Sequence, residues 1–106
     1  MAITTPAPPT GCFAHRASTT QNYIGWENNP TANAPYDSLR LEYSTDGGAS
    51  WFFVTYLSSS KNSFFHTASA FLAYLYRVRA TNSAGTSAYS TSSTATITKP
   101  APPTIG

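Results

Sequence analysis

The feature that most limits what this chain can become is the rhythm of its apolar residues. They alternate with a period of two over short stretches, and each stretch ends in turn-forming residues. Leu39, Leu41 and Tyr43 alternate with Arg40, Glu42 and Ser44, and Tyr74, Tyr76, Val78 and Ala80 alternate with Leu75, Arg77, Arg79 and Thr81. Successive side chains of a strand point to opposite faces of its sheet, so such a segment has one face to bury and one to leave in water. No segment shows helical periodicity, and the chain reads as all-β. Strands are expected at Thr10 to Arg16, Gln21 to Glu27, Leu39 to Ser44, Ser50 to Leu57, Phe64 to Thr67, Tyr74 to Thr81 and Tyr89 to Thr98. In the second, Ile24 and Trp26 share one face and Tyr23, Gly25 and Glu27 the other. In the fourth, Phe52, Val54 and Tyr56 are expected inward, which sends Trp51 and Phe53 outward. Asp46-Gly47-Gly48 is a hairpin signal, because a tight reversal needs positive φ and glycine supplies it without steric cost. Seven short strands at this spacing, in 106 residues, predict one two-sheet sandwich.

The ends of the chain match each other. Ile3-Thr4-Thr5-Pro6-Ala7-Pro8-Pro9-Thr10 returns as Ile97-Thr98-Lys99-Pro100-Ala101-Pro102-Pro103-Thr104, 94 residues on, with Thr5 replaced by Lys99. That period fits one sandwich and is too long for a helical solenoid. The expected organisation is a Pro-rich linker over 1–9, one domain over 10–98, and a second linker over 99–106 that opens a further repeat. Proline fixes φ and lacks an N–H, so the linkers are expected to be extended, semi-rigid spacers.

Composition narrows the function classes. Apolar residues make up 41% of the chain and aromatics 14%, enough to fill a small core, while only 9% are charged against about 25% in an average domain. That profile suits secreted or particle-surface β proteins. The six basic residues, Arg16, Arg40, Lys61, Arg77, Arg79 and Lys99, form no run, which argues against nucleic-acid binding through counterion release. No apolar stretch reaches the length of a membrane span, and Met1 to Thr5 lacks the charged and apolar regions of a signal peptide. Cys12 is the only cysteine, so the fold must rest on its apolar core without an internal disulfide. Cys12 itself is expected as a small apolar residue of the first strand.

Seven strands, an early Pro8-Pro9, Trp26 in the second strand and the run Tyr74-Leu75-Tyr76-Arg77-Val78-Arg79-Ala80-Thr81-Asn82-Ser83-Ala84-Gly85 together resemble a fibronectin type III domain over nearly the whole chain. The resemblance implies an immunoglobulin-like, seven-stranded antiparallel β-sandwich. It makes Trp26 the core tryptophan, Tyr43 the aromatic of the third strand, and Tyr74 the tyrosine-corner residue with its ring under the preceding loop. Ile24, Trp26, Leu41, Tyr43, Tyr74, Tyr76 and Val78 are then the expected core. Where relatives carry Leu and Pro-Gly before the corner, this chain has Ala68-Ser69-Ala70-Phe71-Leu72-Ala73, and Phe71 or Leu72 is expected to fill that place. No Arg-Gly-Asp is present, so integrin binding does not carry over. The Ser44 to Trp51 hairpin resembles versions in bacterial secreted enzymes and phage tail or fibre proteins.

Residues capable of chemistry are few. The acids are Glu27, Asp37, Glu42 and Asp46. Asp46 belongs to a turn, and Glu42 is expected beside Arg40 and, by the resemblance, near Arg77 or Arg79 as a cross-strand ion pair. His15 and His66 lie on different strands, and one cysteine with two scattered histidines makes no metal site, so neither catalysis nor a cofactor is expected. The best candidate surface is the one that places Trp51 and Phe53 beside Leu75, Arg77 and Arg79, an aromatic and cationic patch able to stack on sugars or pack on a protein. The first expected function is a structural or adhesive module, a rigid spacer or display unit of a phage tail, fibre or capsid decoration or of a bacterial surface protein. Its partners would be neighbouring copies or domains and its location extracellular, on a virion or cell surface. The alternatives are a glycan- or receptor-binding module, and an accessory module of a secreted polysaccharide-degrading enzyme.

Overall fold

A computed structural model describes residues 2–18, 20–68 and 73–92, together with the backbone of 95–96. The elements are β1 (Thr10–Arg16), β2 (Gln21–Glu27), β3 (Ser38–Ser44), β4 (Phe52–Ser58), β5 (Ser63–Thr67), β6 (Ala73–Asn82), β7 (Gly85–Thr86), β8 (Ser90–Thr91) and β9 (Ala95–Thr96). One sheet runs β1-β2-β5; in the other, β4, β3 and β6 lie side by side and the short β7, β8 and β9 pair along β6. All pairings are antiparallel. The two sheets face each other as a sandwich, and among the described residues there is no helix. The expected strands are present from the first to the sixth. Of the closing strand, expected over 89–98, the described residues show β8 and β9, with Ser92 in neither and β7 ahead of them; 93–94 and 97–98 lie outside the described residues. Gly85, at φ 151°, lets β7 fold straight back on β6.

The core forms where the alternating residues meet. Ile24, Leu39, Leu41, Tyr76, Val78 and Ala80 are fully buried, and Trp26, Tyr36 and Tyr74 nearly so. Burying an aliphatic side chain of this size is worth about 1.5–3 kcal/mol. Tyr43, expected among them, is only half-buried and packs on the core from its edge, with its ring 5.6 Å from Tyr74 and 5.0 Å from His66. Tyr74 has the buried ring expected of a corner tyrosine. The loop before it, with Phe71 and Leu72, lies outside the described residues.

A polar seam crosses this core. Asn22 shares the inward face of β2 with Ile24 and Trp26 and is fully buried; its Nδ2 donates to the Tyr76 hydroxyl at 3.1 Å. That hydroxyl also shares a hydrogen bond with His66 Nδ1, 2.7 Å away. Burial holds the His66 imidazole below its ordinary pKa, which favours its neutral form. Cys12 is half-buried against the core, and burial pushes its thiol up to about 12. It behaves as the small apolar residue its place in β1 suggested.

Strand β4 departs from its expected faces. Leu41 pairs with Thr55 but Glu42 pairs with Phe53, so Val54 is an extra residue, a β-bulge. Beyond the bulge the faces exchange: Tyr56, expected inward, lies across from Arg40 on the outer face and is 63% exposed, while Leu57 turns in opposite Leu39 and packs on the core. Phe52 is on the inward side, beside Tyr43, but at the sheet edge, where 51% of it stays exposed.

Residues 4–9, expected as part of a spacer, are laid against the domain. Thr4 donates its N–H to Asn33 O at 2.8 Å, and Asn82 Nδ2 donates to Thr4 O at 2.8 Å and to Pro35 O at 3.0 Å. Tyr36 donates its hydroxyl proton to Ala7 O at 2.6 Å, and Asn29 Nδ2 reaches Pro8 O at 3.1 Å and Thr10 Oγ1 at 3.0 Å. Pro6 and Pro9 are buried. Proline has no N–H to leave unpaired, so this arm tucks in its rings while its carbonyls are met by side chains.

Candidate interaction face

The outer face of the larger sheet is built around Glu42. Arg40 lies two residues before it on β3, and Arg77 is its cross-strand partner on β6, so strand geometry brings both guanidinium groups to one carboxylate. Arg40 Nε is 2.7 Å from Glu42 Oε2, and Arg77 reaches Oε1 through Nε at 2.7 Å and through its terminal nitrogen at 2.6 Å. Burial by itself would raise this carboxyl, but the hydrogen bonds from Arg40 and Arg77 and the positive charge of Arg77 hold it below the usual range. Glu42 is buried and ionised at neutral pH, as a structural ion pair.

Aromatic rings flank the two cations. The Arg77 guanidinium carbon lies 4.2 Å from the Trp51 ring centroid and 3.8 Å from that of Tyr89, and Arg79 is 4.8 Å from Tyr89. Arg40 sits 4.6 Å over Phe53 and donates to the Tyr56 hydroxyl at 3.1 Å. Each contact is worth about 0.5–1 kcal/mol where exposed and more where desolvated. Leu75 stands one place beyond Arg77 on the same face, across from Ser44, and with Trp51 lies over the β3–β4 turn at Gly48. That turn is fixed by Gly47 at φ 76° and Gly48 at φ 98°, by Ser44 donating to Asp46 Oδ1 at 2.6 Å, and by the Ser50 N–H donating to the same oxygen at 2.9 Å. These bonds hold the Asp46 carboxyl at about 2. Trp51, placed by this turn, is half-buried.

The five residues singled out from the sequence, Trp51, Phe53, Leu75, Arg77 and Arg79, therefore share one face. Arg40, Tyr56 and Tyr89 complete it. Tyr56 was missed because the bulge reverses its side, and Tyr89 because it precedes the short β8. Three guanidinium groups stand here against one carboxylate, and Arg79 Nε, buried, has no hydrogen-bond partner among the described residues.

The opposite outer face, on β1-β2-β5, holds a second aromatic group that sequence reading passed over. Tyr23 is central, with ring centroids 5.0 Å from Phe65, 5.2 Å from His15 and 5.9 Å from Phe13. Phe13 lies on its cross-strand partner Gly25, whose missing side chain leaves the room: a Cβ there would be 2.4 Å from the ring. His15 is on this face and His66 is in the polar seam, and among the described residues no three of His, Cys, Asp and Glu gather in one place.

No protein-family model and no curated protein matches the chain. Solved structures do. A crystal structure of consecutive titin domains is similar at 18% identity with a TM-score of 0.76, covering 90% of this chain and 33% of that one. The fn3 domain of the human collagen alpha-1(XX) chain is similar at 18% identity and a TM-score of 0.73, over 100% of this chain and 98% of its own. The domain FN3tt follows at 18% identity and a TM-score of 0.69, over 90% and 99%. This chain spans about a third of the titin structure.

Proposed function

Because the chain has the fibronectin type III fold, which is commonly a structural or adhesive scaffold, we propose that it is one non-enzymatic unit of a tandem array. The array acts as spacer and display scaffold outside the cell, on a phage virion as tail, fibre or capsid decoration, or on a bacterial surface. The observation that carries this reading is the recurrence of Ile3 to Thr10 as Ile97 to Thr104, one sandwich length later. A repeated rigid domain extends reach, and side-by-side copies raise avidity for a surface without strong single contacts. The chemistry-bearing residues are engaged in architecture: Glu42 in its ion pairs, Asp46 in a turn, His66 in the seam. An antibody raised against this chain tests the proposal. It should detect, in virions or in an extracellular or surface-labelled fraction, a polypeptide several times larger than 11.3 kDa. A species of single-unit size confined to the cytoplasm would refute it.

A second reading, a glycan- or receptor-binding module, draws on the excess of guanidinium on the Trp51 face and on Arg79 Nε, which has no hydrogen-bond partner among the described residues. Those features favour an anionic group on the ligand, such as an acidic sugar, stacked beside the Trp51 and Tyr89 rings. An array of acidic and neutral glycans should then give binding to acidic members only, lost in Trp51→Ala and in Arg79→Ala. Neutral members bound equally well would rule this reading out.

A further inference from the structure

The arm contacts give the matching ends a structural meaning. Every arm residue whose burial or hydrogen bonding fixes it to the domain has an identical counterpart 94 residues on: Thr4 in Thr98, Pro6 in Pro100, Ala7 in Ala101, Pro8 in Pro102, Pro9 in Pro103 and Thr10 in Thr104. The single difference, Thr5 against Lys99, falls on an exposed residue whose side chain only borders Gly85. A longer side chain there extends into water.

Resting on the reading of the chain as an array unit, we infer that Ile97 to Thr104 is the docked arm of the following unit, and that its binding site is that unit's own copy of the Asn29, Asn33, Tyr36 and Asn82 cradle. The Pro-rich segment is then no spacer. Strand β9 of one unit pairs with β6 at least as far as Thr96, and on this inference Thr98 takes the place of Thr4, so at most Ile97 is left to join two packed bodies. One residue spans at most about 3.6 Å, which leaves the joint almost no slack. Ile3, the counterpart of Ile97, is 43% exposed here at the position where a preceding unit would abut. An apolar side chain in that position suits a covered joint.

The substitution Thr5→Lys makes the N-terminal arm identical to Ile97 to Thr104 and so tests the segment in the intact chain. The Asn29 and Asn82 side-chain amide resonances and the melting temperature should stay as in the parent. In a reference chain starting at residue 10, those resonances should move and the melting temperature should fall by at least about 4 °C. A two-unit chain, made by running residues 11–106 on from Thr104, should then show seated-arm resonances for both units and tumble with one correlation time in 15N relaxation. Replacing Pro100 and Pro103 by Gly should release the second unit. The inference is overturned if Thr5→Lys moves the amide resonances to their arm-less positions, or if the second unit shows arm-less resonances and tumbles freely. A natural polypeptide of one unit would sink the array reading alone, since the Thr5→Lys comparison does not depend on it.

Discussion

The two outer faces of this sandwich are both rich in aromatic rings, and they treat them differently. On β4-β3-β6 the rings are interleaved with guanidinium groups anchored by Glu42, and Trp51 is half-buried beneath Arg77. On β1-β2-β5 the rings of Phe13, His15, Tyr23 and Phe65 pack on one another and Phe13 on Gly25, no cation lies over them among the described residues, and Phe13 and Phe65 remain 44% and 54% exposed. One face is therefore ordered by electrostatics and the other by ring contact. The lesson is that aromatic content alone does not define a surface; what sits between the rings decides how firmly each is held.

Substitutions on both faces test that contrast. Glu42→Ala should have the largest effect, about 2–3 kcal/mol lost in denaturant unfolding, because two guanidinium groups keep their partial burial and lose their anion. Part of that loss should also appear in the parent on acidification. The Glu42 carboxyl is held below its ordinary value of 4.5, so its contribution is complete above that pH and disappears as pH falls through the lower folded value. In Glu42→Gln the acid limb should be shallower, and an unchanged limb would mean the carboxylate does not anchor the face. On the other sheet, Phe13→Ala should cost about 1 kcal/mol, insensitive to added salt, as it uncovers Gly25 and takes one ring from the group. Arg77→Lys should be mildest, about 0.5–1 kcal/mol, since the charge stays while the planar stack between Trp51 and Tyr89 is lost. A visible red shift in Trp51 emission is expected to accompany it. Equal salt dependence on both faces would erase the distinction.

Alternation made the strands legible because it survives wherever register is unbroken. Thr10 to Arg16 and Gln21 to Glu27 coincide with β1 and β2, and the inward residues of β3 and β6 are those that alternation selects. It failed at Val54 for a definite reason. From Trp51 to Leu57 six of the seven residues are apolar or aromatic, so nothing in the pattern marks the extra residue that turns Tyr56 outward. Asn22 was hidden because its burial depends on Tyr76, 54 positions away. The seating of the arm was equally concealed, since polyproline-like sequence reads the same free or docked, and the residues that hold it come from the loop between β2 and β3 and from the distant end of β6. Five members of the Trp51 face were legible by alternation, and the ion pairing of Glu42 with Arg40 and with Arg77 or Arg79 followed from the resemblance; that Arg77 is the cross-strand partner needed the register of β3 and β6.

The thiol of Cys12 offers a practical clock. At about 12 its thiolate is vanishingly scarce at pH 8 in the native molecule, whereas a free cysteine titrates near 8.5, a difference on the order of a thousandfold in reactive fraction. Alkylation of this sole sulfhydryl therefore counts excursions in which β1 lifts away. A plain mass-spectrometric time course, without any engineered label, would report how often the sandwich opens.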